Sequence, residues 1–159
     1  MSTAEVIAAA LAEIGVEYQE RDAGQFLVTL PGTRRLRTHC WLIVREHALF
    51  VQAFVCRRPD EDHEVVYRFL LQRNATLRTV AYALDSSGDI HLVGRVSRAA
   101  LTDEEVDTVL GVVLATSDQD FNAILERGFA GAIRREWAWR TSRGESVRNL
   151  KAFRHLLDP

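Results

Sequence analysis

Only two of the 159 residues are cysteine, Cys40 and Cys56, which excludes a disulfide-stapled scaffold and any paired-cysteine zinc site. Each reads as a small buried hydrophobe in a reduced, cytoplasmic protein; a cross-strand disulfide is the lesser alternative. Nowhere does an apolar run approach the eighteen or so residues of a membrane span. The first apolar stretch, Val6 to Leu11, is short, Ala-rich and preceded by Glu5, so it does not read as a secretory signal and no membrane partner is expected. The chain lacks a Walker loop, a dinucleotide glycine fingerprint and a nucleophile elbow. Gly128-x-x-Gly131 is too weak a pattern for a phosphate loop. His39, His47, His63, His91 and His155 stand singly, none at the i, i+4 spacing that puts two metal ligands on one helix face. The expectation is a protein that is not an enzyme, with no cofactor and no metal. No internal repeat or low-complexity tract is present.

What is there is an ordinary globular balance, 47% hydrophobic and 26% charged residues with a net charge of -2, which argues against disorder. Charge is unevenly placed. Residues 127–159 carry eight Arg or Lys against three Asp or Glu, a local +5 that leaves -7 for the rest. Such polarity lets the end of the chain dock on an acidic body or neighbouring subunit, or draws a polyanion to it. The length fits one domain over 1–159, with a core at 1–127 and a basic helical extension at 128–159.

Apolar spacing gives the order of elements. Ser2 or Thr3 caps a first helix carrying Val6, Ile7, Ala10, Leu11 and Ile14, and Gly15 ends it. Gln25 to Leu30, Thr38 to Arg45 and Leu49 to Arg57 alternate as strands with short connections, hence an antiparallel meander. The acids of Pro59-Asp60-Glu61-Asp62 open a second helix, buried through Val65, Val66, Phe69 and Leu70. Asp60, Glu61, Asp62, His63 and Glu64 offer metal-ligand atoms in principle, but a helix start accounts for the acids. Val80 to Leu84 and Ile90 to Val96 form a hairpin around Asp85 to Asp89. Thr102-Asp103-Glu104-Glu105 matches a capping box and starts a long helix, with a kink or break expected near Ser117 and a C-cap at Gly128. The expected fold class is α+β, a five-stranded antiparallel sheet in the order α-β-β-β-α-β-β-α plus a short helical C-terminal extension.

That extension is the most informative stretch. Large apolar groups, Phe129, Ile133, Trp137, Val147, Leu150, Phe153 and Leu156, divided by Gly144 into two short helices, mark it as ordered and packed. Its candidate contact residues are Arg134, Arg135, Trp137, Trp139, Arg140, Arg143 and Arg148. Three readings stand: it completes the chain's own core, it anchors a subunit or partner protein, or its guanidinium forks and indoles bind phosphate or nucleic acid. A pI of about 6.2 weighs against the last. Both registers of the meander are apolar: Trp41 and Ile43 alternate with Cys40, Leu42 and Val44, and Phe50 and Phe54 with Leu49, Val51 and Val55. Such a sheet needs helices on both sides or a second molecule, which points to a homodimer or a client groove. Val66 and Phe69 are the candidate dimer contacts.

The segments Phe26-Leu27-Val28-Thr29-Leu30-Pro31-Gly32-Thr33, Ala53-Phe54-Val55-Cys56-Arg57-Arg58-Pro59-Asp60-Glu61, Tyr67-Arg68-Phe69-Leu70-Leu71-Gln72-Arg73-Asn74 and the tail from Arg134 through Leu156 resemble the YbjN family, closest to actinobacterial YbjN-domain proteins. The family's fold is similar to that of type III secretion chaperones. The resemblance implies a homodimer that holds an extended client segment on apolar patches without ATP. It supplies no catalytic motif, the family being described as sensory transduction regulators. The basic, tryptophan-bearing extension departs from the typical small acidic chaperone. The expected function is therefore a non-enzymatic, chaperone-like or regulatory protein-binding module of unidentified client, the alternative being anion or nucleic-acid binding through the tail.

Overall fold

A computed structural model describes residues 1–158. Helix α1 (Thr3–Ile14) precedes strands β1 (Glu17–Asp22), β2 (Gln25–Pro31), β3 (Arg37–Val44) and β4 (Ala48–Cys56). Helix α2 (His63–Asn74) and the hairpin β5 (Val80–Leu84) and β6 (Ile90–Ser97) follow. A short 3-10 turn then leads to α3 (Asp103–Gly128), α4 (Ala130–Ser142) and a terminal 3-10 helix, Arg148–Leu156. The strands make one antiparallel sheet in the order β1-β2-β3-β4-β6-β5, so β1 and β5 are its edges.

The sheet has six strands, not the expected five, because Glu17–Asp22 is a strand without a strand's apolar pattern. Of its six side chains only Tyr18 turns inward, packing 6.2 Å from the Phe26 ring. The rest are polar and exposed, as suits an edge that must not recruit other strands. It forms because Gly24, at φ 74°, folds the chain back on β2, and Glu20 Oε1 accepts the Gly24 amide at 3.1 Å.

Alternation fixes which side of the sheet is dry. Phe26, Val28, Leu42, Val51, Ala53 and Leu92 are fully buried together with Ile7 and Leu11 of α1 and Val109 and Val113 of α3. At the start of α1, Ser2 and Glu5 bond reciprocally to each other's backbone amides, and Gly15 ends it at φ 81°. All the helices gather on this side, with α2 packed on α3 and β5. Of the two alternatives expected for such a sheet, helices on both sides or a second molecule, the first does not hold.

Helix α3 runs unbroken for 26 residues, through the polar stretch Thr116 to Asp120 where a kink was expected. Three of the polar side chains there find distant partners. Ser117 Oγ meets the Thr38 hydroxyl at 3.1 Å. Asp118 Oδ1 accepts the amides of Thr33, Arg34 and Arg35, and Asp120 Oδ2 accepts from Arg73 and Tyr82. Gly128 is not a C-cap, since it is the last helical residue and Phe129 follows as cap. Its role is close approach: a Cβ there would sit 2.9 Å from Pro59 and 3.0 Å from Val66, while its carbonyl accepts the amides of Asp60 and Glu61.

Candidate protein-binding surface

The outward register of the sheet has no helix over it. Across the strands it reads Leu27, Trp41, Gln52, Val93 and Ala81 in one row, and Gln25, Ile43, Phe50 and Arg95 in the next. Phe54 is 39% exposed and meets the edge of the His91 ring at 5.5 Å. Aromatic and β-branched residues fill this face because the same residues that favour strands remain available for docking when nothing covers them. A hollow of about 350 Å³ opens at the β3–β4 turn end, lined by Ile43, Arg45, Phe50, Gln52, Val93 and Arg95. The Arg95 guanidinium lies 4.6 Å from the centre of the Phe50 ring, within cation–π range.

At the other end of β3 the 32–37 loop, α3 and the terminal 3-10 helix enclose a groove of about 680 Å³ that holds Arg34, Arg35, Arg37 and Arg148 with Phe121 and Phe153. The loop is fixed by Asp118. Burial alone would raise this carboxyl's pKa, but the amides of Arg35, Arg34 and Thr33 donating to it together outweigh that and hold it below its ordinary value. Gly32 is required here, since any Cβ would collide with the Arg35 carbonyl and lie 2.8 Å from Asp118 Oδ1. Arg35 is wedged between the rings of Phe54 and Phe121, at 5.7 and 5.4 Å, and its Nη1 donates to the Phe54 carbonyl at 2.6 Å. It therefore joins the groove to the open face.

A third surface lies where α2 meets edge strand β5. Leu71 is 69% exposed, with Val65 and Leu84 also exposed, and Tyr67, Leu70, Leu71, Asn74, Tyr82 and Leu84 line a hollow of about 320 Å³. Of the two expected dimer contacts, Val66 is fully buried against Gly128 and does not reach this surface. Helical phase explains it: Val66 and Leu70 form the stripe that faces α3. Phe69 is half-buried beneath Arg127, whose guanidinium stacks on its ring at 4.4 Å.

The extension packs on its own chain. Phe129, Ala130, Ile133 and Phe153 are buried, and α4 and the terminal 3-10 helix rest on α3. Its arginines do not converge on one patch. Arg134 Nε donates to the Leu156 carbonyl at 2.7 Å, and Arg135 lies beside Gly131, whose amide donates to Glu61. Arg140 Nε donates to Glu136 at 2.6 Å and its Nη1 reaches Ser146 and Asn149. Arg143 pairs with Glu145 at 3.0 Å and stacks on Trp139, while Trp137 is half-buried. Arg148 alone goes elsewhere, into the arginine groove. Three of the four acids read as possible metal ligands hold protein partners: Asp60 takes Arg57, Glu61 the Gly131 amide and Glu64 Arg68. Sequence reasoning missed Arg34, Arg35 and Arg37, although three arginines in four residues directly after Pro31-Gly32-Thr33 were a visible signal.

Neither thiol is poised for chemistry. Burial pushes the Cys40 thiol up to about 12 and, as the largest of several effects, the Cys56 thiol to about 11, so both stay protonated near neutral pH. His91 Nε2 lies 2.9 Å from Asp85 Oδ2.

A family model for YbjN, described as "Putative bacterial sensory transduction regulator", matches residues 3–126. An uncharacterized protein of Mycobacterium leprae is 56% identical over 134 residues, 84% of this chain and 73% of that protein. Among solved structures, YbjN from E. coli aligns with a TM-score of 0.57 at 15% identity, over 77% of this chain and 92% of that one. A chain of the HopA1–SchA chaperone–effector complex aligns with a TM-score of 0.56 at 11% identity, over 74% and 91%. At such identities the structural likeness is one of fold. With the family model spanning α1 through most of α3, and the sheet and helices arranged as in those structures, the chain belongs to the YbjN family and has the fold shared by YbjN and type III secretion chaperones.

Proposed function

We propose that this protein is a non-enzymatic, chaperone-like binding module that works as a homodimer in the cytoplasm and takes a client polypeptide on the open face of its sheet. The observation that carries it is the one-sided sheet: α1 and α3 complete a core on one face, while Trp41, Ile43, Phe50 and Phe54 stand on the other without cover. Supporting it, the fold is also that of a chain in a chaperone–effector complex. No helix among the described residues is long and apolar enough to cross a membrane. The extension and the core form one body, since Ile133 and Phe153 belong to the same buried cluster as the sheet. Within the tail, Arg140 and Arg143 already hold Glu136 and Glu145, whereas Arg148 lines the groove beside the 32–37 loop.

A photo-crosslinking residue at Gln52, exposed in the middle of the open face, is expected to capture a client in cells. The same residue at Asp107, exposed on α3, is expected to capture none. Equal yield at both positions refutes the proposal.

The α2–β5 surface is the dimer contact. Burying Leu71 and Leu84 against a second copy removes apolar area from water, at about 25 cal/mol per Å², and β5 offers an unpaired strand edge. Leu71→Asp combined with Leu84→Asp is expected to shift the light-scattering mass from dimer to monomer with unchanged circular dichroism. A monomeric unmodified protein sinks the dimer.

A further inference from the structure

Guanidinium groups without an acidic partner collect at the two ends of β3. Arg45 and Arg95 line the hollow at one end, and Arg34, Arg35, Arg37 and Arg148 the groove at the other. No Asp or Glu lines either cavity. Among the arginines elsewhere, Arg57, Arg68, Arg73, Arg140 and Arg143 each hold a carboxylate, while Arg98, Arg127 and Arg134 donate to backbone carbonyls. What sets the two clusters apart is that several guanidinium groups share one cavity. Among the described residues the side chains of Arg37, Arg45, Arg95 and Arg148 accept no such pairing. Of the nearby acids, Asp118 is engaged by three loop amides and Asp85 by His91, while Glu46, in the β3–β4 turn, is highly exposed. Glu17 and Asp22 of β1, opposite Thr29 and Gln25, are the carboxylates that edge strand β1 adds to the open register.

We infer that the client segment is apolar at its centre and acidic at both ends, its carboxylates received by these two arginine clusters; this rests on the open face being the client site. Three features point to it. Four arginines in one groove repel one another, and the cost is relieved when carboxylates enter. The planar fork of arginine matches a carboxylate with two parallel hydrogen bonds, which a solvated surface lysine does not. Spacing fits as well. Arg37 and Arg45 are eight residues apart along β3, roughly 26 Å at about 3.3 Å per residue, with Trp41 and Ile43 between them. An extended segment of about eight residues spans that distance. Arg35, held by the Phe54 carbonyl and two rings, presents its charge at the junction of apolar face and groove without further ordering.

The test uses the full chain and three labelled peptides with the same leucine-rich centre, flanked by glutamate, glutamine or lysine pairs, read by fluorescence anisotropy. The glutamate peptide is expected to bind at least about tenfold more tightly than the glutamine one, with the advantage shrinking as salt rises. Arg37→Glu with Arg148→Glu, at two exposed side chains without partners and so harmless to the fold by circular dichroism, is expected to abolish that advantage and leave the glutamine peptide's affinity unchanged. Equal affinity for glutamate and glutamine peptides overturns the charge selection. So does a labelled single-stranded oligonucleotide that competes better than the glutamate peptide, or a change of solution mass in the double variant, which would make a second copy the occupant. If Gln52 captures a client whose bound segment lacks acidic flanks, only the selection falls; if no peptide binds and Gln52 captures nothing, the open-face site falls with it.

Discussion

Asp120→Ala is expected to lower the unfolding free energy by about 3–5 kcal/mol, the range for breaking a buried ion pair from one side, and to cut the melting temperature by roughly 10 °C for a chain of this size. Asp120 is 4% exposed on α3, and its Oδ2 accepts from Arg73 Nε of α2 at 2.8 Å and from the Tyr82 hydroxyl of β5 at 2.9 Å. One carboxylate thus ties three elements that come together at the proposed dimer surface. Burial first, then the charge of Asp120, pushes the Tyr82 phenol upward, so it remains a donor at any working pH. Alanine would leave that hydroxyl and a largely buried guanidinium facing a void. Asp120→Asn keeps an acceptor and is expected to cost less than half as much. Urea unfolding followed by circular dichroism decides; a loss below about 1 kcal/mol for alanine would show that water replaces the carboxylate.

The same residue shows why α3 read as broken. From sequence, Thr116 to Asp120 interrupts the apolar period, and nothing local says what the polar atoms touch. Their partners lie 79 to 85 residues away for Ser117 and Asp118 and 38 to 47 away for Asp120. Elements defined by their own periodicity were legible: α1 with its Ser2 cap and Gly15 stop, the three meander strands, α2, and the β5–β6 hairpin. β1 was not, because an edge strand with one inward residue has no period to read. The apolar character of both sheet registers was visible in Trp41, Ile43, Phe50 and Phe54, but which register stayed open depended on where α1 and α3 landed.

The tail was legible as ordered and misleading as a patch. Its density of Phe129, Ile133 and Phe153 foretold packing, and those residues are buried. Its arginines drew attention by number, yet i, i+4 geometry pairs Arg140 with Glu136 inside α4. The unpaired cluster instead joins Arg34, Arg35 and Arg37 to Arg148, more than a hundred residues apart. No sequence window contains both halves of it.

Trp41→Ala combined with Phe50→Ala is expected to weaken client binding by about a hundredfold or more, measured by anisotropy on the client segment captured at Gln52. Each is an aromatic anchor of the kind whose truncation costs about 2 kcal/mol or more at an interface centre, and 1.4 kcal/mol is about tenfold. Both sit on adjacent strands of the outward register, Trp41 opposite Gln52 and Phe50 opposite Ile43. Their loss removes no side chain from the core, so stability should fall by only about 0.2–1 kcal/mol for each lost cross-strand pair. The two effects therefore separate, which they would not at Phe26 or Leu42 on the inner register, where truncation opens a cavity in the core. Salt separates them further. Apolar contacts on Trp41 and Phe50 should respond little to ionic strength, whereas contacts at Arg37 and Arg148 should weaken with it. A double variant that folds normally and keeps its client affinity would move the binding site off the open face, to the edge of β1 or to the α2–β5 surface.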